Sequence, residues 1–317
     1  MGRRPDHPDL GGDERDHERG DRPLARPGGG RELSGESPAT PRPLGGIRSL
    51  LFAGATRPDL VGKLGRSGAD AVAIDLEDAV PAGSKEEARA ALAPLVGSVD
   101  GPLVFVRVNG PETGWFEEDV AAVALLPLPV AGIVIPKVES TADLARAREL
   151  LGDGPAIVAG LESARGVAAC EEILRWEPAL AYFGAEDYIA DVGGRRSEGG
   201  EEVLYARSRV ALAARLGGVP VLDQVVVDFR DAEAMRRDSE RGRAIGYRGK
   251  LCIHPGQVEI ANRAFGASTK EVERAQALLA AWQEAAARGI AAVEFEGAMV
   301  DGPALRMAHD TIARASA

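Results

Sequence analysis

Eight short runs of β-branched and aliphatic residues recur between Ile47 and Ile253, most of them followed by a stretch of helical spacing. That alternation limits the chain to a few parallel-sheet architectures. The runs are Ile47 to Phe52, Ala71 to Ile74, Leu103 to Val108, Gly132 to Pro136, Ala156 to Gly160, Leu180 to Phe183, Val219 to Val227 and Leu251 to Ile253. Between them Ser84 to Val96, Thr141 to Leu151, Arg165 to Trp176, Val203 to Leu216 and Asp231 to Ile245 carry Ala, Leu, Glu and Arg at helical spacing. An open doubly wound sheet would carry a glycine-rich phosphate turn after its first strand, and neither G-x-G-x-x-G nor G-x-x-x-x-G-K-[ST] occurs. The pattern therefore predicts an α/β fold, a closed (β/α)8 TIM barrel with a C-terminal α/β extension.

The expected boundaries are a disordered leader over 1–44, a catalytic barrel over 45–267 and an extension over 268–317. The leader mixes Arg, Asp, Glu, Gly and Pro and has too little apolar surface to offset its ordering entropy. In the extension, Ser268 to Ala287 reads as a helix, Ala291 to Val300 as a hairpin arm and Pro303 to Ala315 as a helix. With 317 residues and 45% apolar content the chain can bury a large core. A net charge of -11 argues against nucleic acid as the main partner. No apolar run is long enough to span a bilayer, since Val120 to Val134 is broken by Pro127 and Pro129. Cys170 and Cys252 are far apart, each in an apolar stretch, which suits core positions in a reducing cytoplasm.

In barrel enzymes the chemistry sits at the C-terminal ends of the strands. There the sequence is ionic: Asp75, Glu77 and Asp78; Arg107 and Asn109; Lys137 and Glu139; Glu162; Glu186 and Asp187; Asp223 and Asp228; and His254. Many carboxylates with few thiols or imidazoles favour a hard divalent cation. Glu162 and Asp187 lie one βα unit apart, so adjacent strands would set them side by side, either as Mg2+ ligands or as ion pairs with Arg107, Lys137 or Arg165. Lys137 is read as a charge balancer rather than a Schiff-base amine, because neighbouring carboxylates keep an amine protonated. His254 is read as a structural hydrogen-bond donor.

Seven strings in order resemble the citrate lyase β-subunit-like family, which includes malyl-CoA and citramalyl-CoA lyases. They are Arg48-Ser49-Leu50-Leu51-Phe52, Asp75-Leu76-Glu77-Asp78-Ala79-Val80, Val106-Arg107-Val108-Asn109, Pro136-Lys137-Val138-Glu139, Leu161-Glu162-Ser163-Ala164, Phe183-Gly184-Ala185-Glu186-Asp187 and Ile253-His254-Pro255. The resemblance implies a carbon-carbon lyase in which Glu162 and Asp187 hold Mg2+, with Mn2+ as the alternative ion, and Arg107 contacts substrate. It further implies that Arg48, Lys63, Glu77, Gly184, Ala185, Glu186, Ile253 and His254 line the CoA and acyl pocket. Two departures are Ala53 or Gly54 where a proline is usual, and Leu161 where isoleucine is usual.

The string Gly297-Ala298-Met299-Val300-Asp301-Gly302-Pro303 is similar to the segment that delivers a catalytic aspartate onto a neighbouring subunit in malyl-CoA and citramalyl-CoA lyases. By that likeness Asp301 is catalytic, the partners are a CoA thioester and a 2-oxo acid, and the assembly is a homotrimer or hexamer. Read without the family, Val300-Asp301-Gly302 is a turn that ends a strand. The competing readings are a citryl lyase subunit, a metal-dependent 2-oxo acid aldolase without CoA, and a silent scaffold subunit.

Overall fold

The computed structural model describes residues 44–127, 130–289 and 293–315. All but the last residue of the expected leader, and the first two residues of the expected arm, lie outside them. The chain runs β1 (Ser49–Gly54), α1 (Pro58–Val61), β2 (Ala71–Asp75), α2 (Lys85–Ala90), α3 (Leu92–Gly97), β3 (Leu103–Arg107), α4 (Phe116–Ala124), β4 (Gly132–Ile135) and α5 (Thr141–Leu151). It continues through β5 (Ala156–Leu161), α6 (Ala164–Ala168), α7 (Cys170–Arg175), β6 (Leu180–Phe183), α8 (Ala185–Asp191), α9 (Glu201–Gly217), β7 (Val221–Asp223), α10 (Ala232–Ile245), β8 (Gly249–Cys252) and α11 (Pro255–Phe265). Strands β1 to β8 pair in sequence order, all parallel, and β8 closes on β1 through Ser49 opposite Lys250. The expected (β/α)8 barrel is what forms.

Each strand is apolar on both faces because both are covered. Side chains alternate across the strand, so Leu50, Ala71, Ala73, Phe105, Val134, Val158, Leu180, Tyr182, Leu222 and Leu251 fill the lumen. The intervening residues, among them Val72, Ile74, Val106, Ile133, Ile157 and Phe183, pack outward under the helices. Burying a side chain such as Phe105, which is fully enclosed, contributes about 1.5–3 kcal/mol. The same parity puts the ends of β2, β3 and β5 into the lumen with polar residues: Asp75 stands opposite Arg107 in register, and Glu162 follows β5 on the inward face.

Three expected elements differ in extent. The Ser84 to Val96 stretch is two helices that break at Ala91, because Pro94 has no N–H to offer the carbonyl four residues back. The Arg165 to Trp176 stretch also divides, at Ala169. Strand β7 spans only Val221–Asp223, since Pro220 precedes it and Gln224 turns its amide to Asp238. Beyond the barrel, α12 (Thr269–Ala286), a hairpin of β9 (Val293–Phe295) and β10 (Ala298–Val300), and α13 (Gly302–Ala315) bury Ala275, Leu278, Val300 and Ala308 in a small core of their own. None of the described helices is long and apolar enough to cross a membrane.

Candidate active site

At the C-terminal mouth the strand ends assemble a charge network around Arg107. Its guanidinium forks onto Asp75, Nε to Oδ1 at 2.7 Å and Nη2 to Oδ2 at 2.6 Å, while Nη1 lies 3.0 Å from Glu77 Oε2. Phe52, from β1, stacks 5.0 Å below the same guanidinium. Burial alone would raise the Asp75 carboxyl, but Arg107 and the amides of Glu77 and Ala79 outweigh it and hold the group below its ordinary range. Arg107 itself is held charged more firmly than usual, because the carboxylates outweigh its burial.

Lys137 follows β4 in a left-handed conformation, φ 50°. That backbone is uncommon for a residue with a Cβ. It directs the Lys137 N–H onto Glu162 Oε2 at 3.0 Å while the ammonium crosses to Glu77 Oε1 at 2.5 Å and Asp187 Oδ1 at 3.4 Å. Burial lowers a lysine pKa, yet Glu77, Asp187 and Asp78 raise this one well above the ordinary value. A protonated amine cannot attack a carbonyl, so the Schiff-base reading has no support in the geometry.

Glu162 is 4% exposed and its carboxyl is pushed up by burial, which outweighs Arg107 and Lys137. Gly184, at the start of α8, makes room for it: a Cβ there would sit 2.5 Å from Glu162 Cγ and Oε1. Asp187, in the first turn of α8, has a side chain 41% exposed and faces the same cavity of about 700 Å³. That cavity is also lined by Lys137, Glu139, Ser163 and Arg165. Ser163 Oγ donates to Glu139 at 2.7 Å and caps α6 through Gly166 N at 3.0 Å.

Glu162 and Asp187 are the pair that could hold a cation here. Their oxygens suit a hard ion such as Mg2+, and the buried Glu162 carboxyl, raised by burial, is the group such an ion would relieve. Among the described residues no three His, Cys, Asp or Glu side chains converge as a metal cage. Two carboxylates with the remaining positions left to water and substrate are the usual provision for Mg2+.

The other expected residues divide. Glu77 joins the network, and Ala185, the first residue of α8 after Gly184, is buried in the core between strands and helices. Glu186 is exposed and pairs with Arg196, which also reaches Glu202. Ile253 and His254 follow β8 at the mouth. His254 Nδ1 accepts from Gly256 N at 3.1 Å, capping α11, and its ring stacks on Phe229 at 4.8 Å, so the proton sits on Nε2, which remains a donor. Lys63 is exposed on the turn after α1.

Two strand-adjacent residues, Arg48 and Asp223, fall elsewhere than expected. Arg48 precedes β1 and forks onto Asp70, just before β2, at 2.9 Å through both Nε and Nη2. It therefore lies at the base of the barrel, a strand's length of roughly 20 Å from the mouth, too far for its side chain to line the pocket. Asp223 points outward under the helices, where Arg207 and Lys250 neutralise it, since its strand position has the opposite parity from the lumen residues. Asp301 ends β10 and its Oδ1 accepts from Ala304 N at 3.4 Å, capping α13. The far end of α13 is pinned to the barrel base, where Asp310 accepts from Arg248 at 2.6 Å. Asp301 and the mouth are thus not brought together within one chain.

Residues 48–255 match the model of the HpcH/HpaI aldolase/citrate lyase family. The chain is 48% identical over 275 residues to a citrate lyase subunit beta-like protein of Deinococcus radiodurans, covering 83% of this chain and 95% of that protein. It is 30% identical over 292 residues to the mitochondrial citramalyl-CoA lyase of Homo sapiens, covering 85% of each. Among solved structures, protein CitE from Mycobacterium tuberculosis in complex with magnesium, acetoacetate and coenzyme A superposes with a TM-score of 0.73 at 31% identity, covering 86% of this chain and all of that one.

Proposed function

The chain belongs to the HpcH/HpaI aldolase/citrate lyase family and is a carbon-carbon lyase of that kind, and from that premise we propose that it cleaves or forms a β-hydroxyacyl-CoA. Malyl-CoA, β-methylmalyl-CoA and citramalyl-CoA are the candidate substrates, giving acetyl-CoA or propionyl-CoA and a 2-oxo acid. The observation that carries the reading is a buried carboxylate, Glu162, oriented by the Lys137 N–H and lining with Asp187 a cavity to which Lys137 brings positive charge. Likeness to a structure that holds magnesium and coenzyme A supports the choice of ion and of thioester.

A Mg2+ ion held by Glu162 and Asp187 would supply Lewis-acid polarisation of the substrate's hydroxyl and carboxylate oxygens. Arg107 does not need to reorganise: Asp75 fixes two of its nitrogens and Phe52 fixes its plane, leaving it positioned for charge that develops on the thioester oxygen or for the substrate carboxylate. A preorganised charged donor of this kind contributes roughly 3–4 kcal/mol to the transition state. Cleavage breaks the bond between the hydroxyl-bearing carbon and the carbon next to the thioester. The hydroxyl loses its proton as it becomes the 2-oxo group, and the bond's electrons leave as an enolate that takes a proton at carbon. Asp301 of a neighbouring protomer is assigned that proton transfer, which requires an oligomer, and a homotrimer or a hexamer is the assembly proposed from the family resemblance.

Calorimetric titration of Mg2+, followed by an assay of the three CoA thioesters, tests the reading. Asp187→Ala is expected to weaken Mg2+ binding by more than about a hundredfold, beyond what changes outside the ligand set produce, and to abolish turnover with the fold intact. Retained Mg2+ binding and turnover in that variant would falsify the assignment.

A further inference from the structure

We infer that Tyr182 is a positioning residue for Glu162, its hydroxyl held in the barrel lumen as a donor that the carboxylate takes up when a cation binds. The inference rests on the reading of Glu162 as a cation ligand and adds to it a residue outside the charge network.

The lumen is built around the pair. On β5 the inward positions are Val158 and Gly160, with Glu162 just beyond; on β6 they are Leu180 and Tyr182, with Gly184 just beyond. Gly160 stands opposite Tyr182 in register, and a Cβ on Gly160 would sit 2.4 Å from the Tyr182 hydroxyl oxygen. Gly184 leaves the corresponding space for Glu162, so two glycines let the two polar side chains share one slot. Neither glycine has a positive φ, so the reason for each is room and not backbone conformation.

Tyr182 is fully buried and its hydroxyl lacks a hydrogen bond of full geometry, with the Glu162 carboxylate close enough to act on it as a weak acceptor. A buried hydroxyl without a partner costs about 1–3 kcal/mol. Burial first, and then the Glu162 charge, raise the phenol well above its ordinary value, so it stays a neutral donor. Glu162 Oε2 already accepts from the Lys137 amide. When a cation draws on the carboxylate, one further donor from below fixes its plane, as outer-shell partners of metal-ligating groups do. Without a cation the hydroxyl is only partly satisfied by Glu162, and the metal-loaded site gains from a full bond.

Tyr182→Phe removes the hydroxyl and keeps the ring. On the full-length chain we expect it to bind Mg2+ about tenfold more weakly by calorimetry, while its melting temperature without metal is unchanged or higher than wild type. A structural hydroxyl predicts the reverse, a lower metal-free melting temperature with Mg2+ affinity intact, and either of those results overturns the inference. A wild-type chain that takes up no Mg2+ overturns the cation reading of Glu162 and this inference together. Wild-type binding that Tyr182→Phe leaves untouched overturns only the role of Tyr182.

Discussion

Glu77 shows how one residue can hold two cations and still be poorly accommodated. Lys137 and Arg107 flank its carboxylate, but burial dominates and pushes its pKa up to about 7 from an ordinary 4.5. Its folded value lies above the unfolded one, so the unfolded chain gives up this proton at the lower pH. Stability contributed by the protonated group is therefore complete below about 4.5 and is lost as pH rises through about 7. The span corresponds to at most about 3 kcal/mol. Urea unfolding of the metal-free protein at pH 5 and pH 8 checks this: Glu77→Gln should flatten the fall between them, and a slope equal to wild type would remove Glu77 as its source. Residue by residue, Glu162, Asp187 and Arg107 were legible because each ends or follows an apolar run. Tyr182 was not, because an aromatic residue inside a strand looks like core; its one signal was a glycine two places before Glu162 on the neighbouring strand.

At the scale of elements, the sequence located strands better than helix breaks. Strand β6 and helix α5 have the bounds their apolar runs suggest, because a covered strand and a one-sided helix each leave an unambiguous period. The break at Ala91 needed only Pro94, a local signal; the break at Ala169 carries no such mark. Helix α11 begins at Pro255 because proline suits a first turn, and His254 supplies the acceptor that the first turn lacks. His254→Ala should lower thermal stability by about 1 kcal/mol, with His254→Asn restoring most of it, as asparagine also caps. Equal melting temperatures for wild type and His254→Ala would mean that neither the cap nor the stacking on Phe229 contributes to stability.

The whole molecule decides whether the site is complete. Asp301 caps α13, and that helix is anchored through Asp310 to Arg248 at the barrel base, away from the mouth. If the aspartate works on a neighbour, Asp187→Ala and Asp301→Asn chains that are each inactive alone should complement when refolded together. With random assembly, about a quarter of the sites would pair an intact mouth with an intact arm, so recovery should approach a quarter of wild-type turnover. A mixture as inactive as its parents would place Asp301 in its own subunit's chemistry, and an Asp301→Asn chain active by itself would place it outside the reaction.

The sequence by itself determined the eight strands, their closure into a parallel barrel and the carboxylates at the mouth, because hydrophobic period and strand-end position are local properties that survive without coordinates. Only the tertiary structure decided which charges meet. Arg48 sits at the base although it adjoins a strand, Asp223 turns outward although it ends one, and Tyr182 reaches Glu162 only through a gap that two glycines leave. The end of the strand, the face of the sheet and the space between neighbours are relations among distant residues, and they exist only once the barrel has closed.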